Sequence, residues 1–159
     1  MANRDQKTSP IRLIASNRKA HFEYFLSDYL EAGLSLTGTE IKSIRAGKCS
    51  LSDSYVVFKG SSAFIIGMDI SQYDKGNIFN HEPKRDRQLL LHKTEIRKLQ
   101  DQVKLKGYTV IPTRLYLKKG KAKIEIALAK GKNIYDKRDT IKDRDIKRHI
   151  DAEIKERNN

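Results

Sequence analysis

Tryptophan is absent from this 159-residue chain, and cysteine occurs once, as Cys49. A lone cysteine excludes an intramolecular disulfide and a cysteine-rich zinc site, and it fits a reducing, cytosolic compartment. No activating motif surrounds Cys49, so a buried, inert thiol is expected. The histidines His21, His81, His92 and His149 lack close ligand spacing, which leaves a metal centre without a signature. His92 reads as a capping or surface residue before a helix. No apolar run approaches the roughly 20 residues needed to cross a bilayer. The start, Met1 to Lys7, has no apolar stretch of the secretory kind. A phosphate-cradling glycine loop is missing too, because Gly131-Lys132 lacks both the preceding glycine and the following Ser or Thr. Nothing here reads as an active site, and neither an enzymatic activity nor a cofactor is expected.

Charge is what the chain has in excess. Lys and Arg number 33 against 20 Asp and Glu, a formal net charge of +13. Such an excess favours an anionic partner, either nucleic acid or an anionic membrane surface. The basic C-terminal segment lacks Trp, Phe and Leu on its apolar face, so the membrane reading falls behind and no membrane partner is expected. The length allows one domain with a single core, plus a tail.

Residues 1–10 are polar and end at Pro10, which reads as a disordered lead-in. Phe22 to Tyr29 reads as a strand, with Phe22, Tyr24 and Leu26 on one face. Gly33 marks a turn or bulge before a further strand. Thr39 to Gly47 suits a short helix, with Thr39 as N-cap, Glu40 in the first turn and Gly47 as the stop. Ser54 to Lys59 and Ala63 to Gly67 flank Gly60-Ser61-Ser62 as a hairpin. Residues 71–87 are loop-like and too long for an idle connection. Gln88 to Leu91 either begins a helix or ends a strand. Lys93 to Lys106 is a helix, with Ile96, Leu99 and Val103 on one face and Gly107 as its stop. Tyr108 to Leu117 and Lys121 to Lys130 are strands, and Pro112 places the first at an edge or at a bulge. The expected fold is mainly β: a small closed antiparallel OB-like barrel of about six strands, two or three added helices and a C-terminal basic tail. The expected division is a lead at 1–10, an RNA-binding barrel at 11–130 and a basic tail at 131–159.

Several residues suit RNA. Arg18 and Lys19, with Asn17, set polar and cationic donors beside a segment rich in aromatics, the combination that phosphate contact and base stacking require. Most of those aromatics are expected in the core, with Tyr24 or Tyr29 able to reach out. Glu31, Glu40 and Lys42 stand next to glycines. A carboxylate facing RNA repels phosphate but accepts from base amino groups or a 2′-hydroxyl; the alternative for each is a surface salt bridge. Lys84, Arg85 and Arg87 form a modest basic patch.

Ordered blocks along the chain then show a resemblance. They are Asn17-Arg18-Lys19-Ala20-His21-Phe22-Glu23-Tyr24-Phe25, Glu31 through Gly47, and Ser52-Asp53-Ser54-Tyr55. Further on come Asn80-His81 with Pro83 and Arg85, Arg87 to Leu91, Gly107 to Pro112, and Ala129 to Lys132 followed by Tyr135-Asp136-Lys137-Arg138. From about residue 11 onward the chain resembles the SmpB family, the SsrA-binding or small protein B proteins. Gln88 departs mildly from the pattern, standing where Lys is common.

The resemblance implies an OB-like barrel that binds transfer-messenger RNA and supports its alanine charging. It also implies delivery of that RNA, with elongation factor Tu and GTP, to ribosomes stalled without a stop codon. It assigns Asn17, Glu31, Leu90 and Lys123, with Tyr24 and Lys42, to the grip on the tRNA-like elbow. Gly131, Lys132, Tyr135, Asp136, Lys137 and Arg138 match the start of a tail that the family places near the small-subunit decoding centre. A monomer is expected. Ile134, Ile141, Ile146, Ile150 and Ile154 recur at helical spacing, a stripe too narrow to hold an isolated helix in water. The tail is therefore expected to be disordered when free and helical in an RNA-lined channel, where Lys137, Arg138, Lys142, Arg144, Lys147 and Arg148 meet phosphates. The alternative is a helix docked on the barrel. Tyr135 either stacks on a decoding-centre base or packs the tail's first turn.

Overall fold

The computed structural model describes residues 10–75 and 80–132, and beyond them residues 138, 141, 142, 144 and 146–148. The elements are β1 (Ile11–Ser16), α1 (Arg18–Glu23), β2 (Tyr24–Leu34), α2 (Gly38–Arg45), β3 (Cys49–Ser50), β4 (Tyr55–Lys59) and β5 (Ser62–Ile66). They continue with β6 (Asp69–Ile70), β7 (Arg87–Leu90), α3 (Lys93–Lys106), β8 (Thr109–Lys118) and β9 (Lys121–Gly131). Strand pairing runs β8-β4-β5-β7-β2-β9 and returns from β9 to β8, which closes a six-stranded antiparallel barrel; β1 lies outside the ring against β8. The closed barrel and the hairpin of β4 and β5 agree with the sequence reading.

Alternation along β9 builds the core. Ile124, Ile126 and Leu128 point inward and are fully or almost fully buried, with Leu115 and Leu117 of β8 packed in the same cluster. β8 is paired on both sides, so Pro112 is not at an edge. It sits instead at a register shift between Pro112 and Arg114, the bulge alternative. That extra residue changes the parity of the strand, so that Val110 before it and Leu115 after it both face the core. A second bulge in β2, between Ser27 and Leu30, works alike: Leu26 belongs to a cluster outside the barrel and Leu30 to the core. Asp28 makes this turn at φ 51.

Helices cover what the ring leaves open. Ile44 of α2, and Ile96 and Leu99 of α3, are buried in the main core, and Gly107 ends α3 in the left-handed conformation. α1 packs Ala20 outside the barrel against Ile111 and Ala129.

Three expectations change. Residues 18–23 form a helix, so the expected strand begins at Tyr24 and Phe22 is helical. The cause is Asn17, whose Oδ1 accepts from the Ala20 amide at 3.1 Å and starts a turn. Gly33 lies inside β2, and the bulge sits at Asp28 instead. Thr37, not Thr39, precedes α2, and its amide donates to Glu40 Oε1 at 2.9 Å. Of the two alternatives for Gln88 to Leu91, the strand holds, with Gln88 to Leu90 in β7.

Candidate nucleic-acid interface

Cross-strand register builds the principal groove. Gly33 of β2 lies opposite both Leu90 of β7 and Lys123 of β9, which brings together residues far apart in the chain. Glu31, Leu90 and Lys123 line a hollow of about 580 Å³, and Leu90 and Lys123 also border a second of about 420 Å³ that reaches Lys121. Leu90 alternates away from the buried Arg87 and Leu89, and it is 56% exposed. The first hollow mixes Lys93 and Lys123 with Glu31 and Glu95, the second is bordered by Lys121 and Lys123, and an apolar side chain between them suits a partner with both phosphates and base or sugar faces. Gly33 makes the arrangement possible, because a Cβ there would lie 3.2 Å from the Leu90 Cβ. Gly33→Val is expected to displace the exposed Leu90 and weaken RNA binding about tenfold while thermal unfolding moves little. Calorimetry beside an RNA titration checks both.

Glu31 is held at the groove's wall. It accepts a hydrogen bond from the Tyr116 hydroxyl, and Lys118 Nζ lies 3.7 Å away. Burial and the Glu31 carboxylate together push the Tyr116 hydroxyl up, so it stays a donor. Tyr116, Lys118 and Gly33 were not singled out from sequence as site residues. Only the pairing of β8 with β9, and of β9 with β2, reveals them.

The second group of expected residues sits at the other end of the β2–β9 ladder. Tyr24 pairs with Gly131 and Gly33 with Lys123, a separation along β9 of about 26 Å at the usual rise per residue. Arg18 and Lys19 are exposed on α1, and Tyr24 is half-buried against the Ala20 cluster. Lys19 donates to Asp53 at 2.7 Å, which raises the lysine and lowers the carboxyl. Asn17, also expected in the grip, lies beneath the surface. It is 4% exposed, and its amide donates to the Pro112 carbonyl at 2.9 Å and to Leu51 at 3.4 Å while its oxygen caps α1. Its place is beneath α1, which carries Arg18 and Lys19.

The tail root joins this second group. The Lys132 amide donates to the Glu23 carbonyl at 2.8 Å, its Nζ reaches the His21 carbonyl at 3.3 Å, and the same nitrogen lies 5.1 Å from the Phe25 ring centre. Tyr135, Asp136 and Lys137 lie outside the described residues. Arg138, Ile141, Lys142, Arg144, Ile146, Lys147 and Arg148 have helical backbone and are exposed, and the Arg144 guanidinium is 6.0 Å from the Phe22 ring centre. Lys42 joins neither group: it lies over the Tyr73 ring at 5.4 Å.

The expected basic patch is also corrected. Arg87 is fully buried, with its Nε donating to Glu40 Oε2, and the half-buried Arg85 donates to Glu40 Oε1 at 2.5 Å. Glu40, at 0% exposure, is the salt-bridge alternative and does not face a partner. Burial pushes the Cys49 thiol up to about 11, in keeping with an inert thiol. His92, the N-cap residue of α3, donates its backbone amide to the Glu95 carboxylate at 3.2 Å.

A closed barrel, a lysine-bordered groove with an apolar post and a basic terminal segment define a class: small basic β-barrels that bind nucleic acid. The SmpB protein family model matches residues 14–156. An SsrA-binding protein of Acetivibrio thermocellus is 54% identical over 91% of this chain and 94% of its own length. That of Shouchella clausii is 50% identical over 95% of this chain and 97% of its own. A solved chain from "tmRNA-SmpB: a journey to the center of the bacterial ribosome" is 38% identical with a TM-score of 0.64, covering 79% of this chain and 92% of that one. The chain belongs to the SmpB family.

Proposed function

We infer that this protein grips the tRNA-like domain of transfer-messenger RNA and brings it to stalled ribosomes in trans-translation. Family membership over nearly the whole chain supports this reading. The observation that carries it in this molecule is the meeting of Glu31, Leu90 and Lys123 in one groove. Lys123 and Lys121 supply charge for phosphates, Leu90 packs on a sugar or base face, and Glu31 accepts from a base amino group or a 2′-hydroxyl. A carboxylate at this position disfavours bare phosphate and so selects for a folded RNA surface over any polyanion.

On this reading the chain acts by binding and not by catalysis, as a monomer in the cytoplasm, with elongation factor Tu and GTP in the delivery complex. No helix among the described residues is long and apolar enough to cross a membrane. Arg18, Lys19, Tyr24 and Lys42 make supporting contacts, and Gly131 to Arg138 start a tail that enters the decoding centre and the empty message channel. The tail folds fully only in that channel, which makes it a sensor of missing message.

The test is equilibrium binding to transfer-messenger RNA over a range of salt, with bulk tRNA and unrelated RNA as competitors. Tight binding should survive an excess of unrelated RNA. Lys123→Ala should weaken it about tenfold and lower the salt slope by about one. Equal competition by unrelated RNA would leave only a generic basic RNA binder and overturn the reading.

A further inference from the structure

A smaller cleft of about 280 Å³ lies beside α1, at the tail-root end of the β2–β9 ladder and apart from the groove at Glu31. Its apolar lining comes from Ala20 and Ile111, both almost fully buried. Two tyrosines border it, the half-buried Tyr24 and Tyr55, which is 46% exposed at the start of β4. The volume is near the lower end of the ~300 Å³ expected for a small-ligand site, the scale of one planar ring system and not of a duplex. Apolar lining with aromatic walls takes a flat, stackable group.

The charged groups narrow the ligand further. Glu23 and Asp53 line the cleft, and Asp53 is already joined to Lys19 at 2.7 Å. Two carboxylates make the interior poor for phosphate and good for N–H donors. Lys19 borders the cleft and Arg18 is exposed one residue before it on α1, cations suited to the phosphates on either side of a bound nucleotide. The backbone beneath Asp53 is constrained. Asp53 turns at φ 60, and its carbonyl lies so close to Gly67 that a Cβ there would be 2.8 Å away.

We propose that this cleft holds one unstacked base of a single-stranded RNA segment, its ring against Tyr55 and Tyr24 and its amino-bearing edge toward Glu23 and Asp53. The protein then touches RNA at two places about 26 Å apart along one rigid ladder, with the tail leaving from the second. Cytosine and uracil separate the contributions. They share size and stacking, but cytosine carries an amino donor where uracil carries a carbonyl acceptor.

The experiment measures anisotropy of end-labelled cytidine and uridine hexaribonucleotides titrated with the full chain, with inorganic polyphosphate as competitor. The cytidine hexamer should bind more tightly than the uridine hexamer. Tyr55→Ala should weaken it about tenfold and Tyr55→Phe should retain it, because stacking needs the ring and not the hydroxyl. Glu23→Gln combined with Asp53→Asn should erase the preference for cytidine; asparagine tolerates the positive φ at position 53. Circular dichroism confirms that each variant is folded. Unchanged binding by Tyr55→Ala, equal affinity for the two hexamers, or full displacement by polyphosphate would overturn the proposal. Transfer-messenger RNA binding is read separately, by the competition assay and by Lys123→Ala in the groove of Glu31, Leu90 and Lys123, so the two readings can fail independently.

Discussion

Arg87→Met is expected to lower the free energy of unfolding by about 3–5 kcal/mol, because it leaves a buried carboxylate short of its partner. Arg87 and Glu40 are both at 0% exposure. The guanidinium donates to Glu40, to the Met68 carbonyl at 2.7 Å and to the Pro83 carbonyl at 2.9 Å, so one side chain fastens α2, Met68 and Pro83 to β7. Methionine fills the stem's volume but restores none of these bonds. Urea unfolding at neutral pH should show a lower midpoint at constant slope. Replacing Glu40 by glutamine in the same chain should recover part of the loss, because the stranded charge is then gone. A deficit below about 1 kcal/mol would place the pair among weak surface bridges and contradict its burial.

The same triad sets an acid limit. Burial alone would raise the Glu40 carboxyl. Hydrogen bonds from Arg85, the Thr37 amide and Arg87, together with the Arg87 charge, outweigh burial and hold it at about 2. The folded value lies below the unfolded one of about 4.3, so the contribution, about 3 kcal/mol, is complete above that pH and lost as pH falls through about 2. Glu40→Gln should flatten the stability profile across this window. Leu90 follows Arg87 by three residues on β7, so the triad also fixes one wall of the RNA groove.

What was legible in the sequence was periodic. Ile124, Ile126 and Leu128 announced β9, Ile96 and Leu99 announced α3, and Gly60-Ser61 announced the hairpin, because each signal is local. α1 was hidden by its own aromatics: Phe22 and Tyr24 favour a strand, and a single asparagine cap overrode them. The parity changes at Asp28 and at Pro112 come from bulges that depend on the partner strand. Arg87 looked like surface charge because a basic residue is rarely buried whole, and only the Glu40 carboxylate makes that possible. The family resemblance picked out Glu31, Leu90 and Lys123 one by one. Their convergence, and Tyr116 holding Glu31, belong to strand register, which no single stretch of sequence contains.

A chain ending at Tyr135 is expected to bind transfer-messenger RNA within about twofold of full length and to support no tagging at all. The groove lies about 26 Å along the ladder from the tail root, far enough for the two sites to act independently. Truncation also removes Lys137, Arg138, Lys142, Arg144, Lys147 and Arg148. Bulk RNA should therefore bind more weakly, and with a shallower salt dependence, even while the specific complex holds. Tagging is measured in reconstituted translation of a message without a stop codon, and binding by filter retention of the same preparation. Geometry adds a sharper version. Lys132 is tied through its amide to Glu23, so the tail leaves the barrel from a fixed point. Inserting glycines between Lys132 and Asn133 keeps every cation and every groove contact but loosens that aim. If the ladder serves to align grip and tail, the insertion should also lose tagging while keeping RNA affinity. Full tagging by the insertion variant would show that the tail works as a tethered cation, and a truncation that lost tmRNA binding would show that grip and tail are not separate parts.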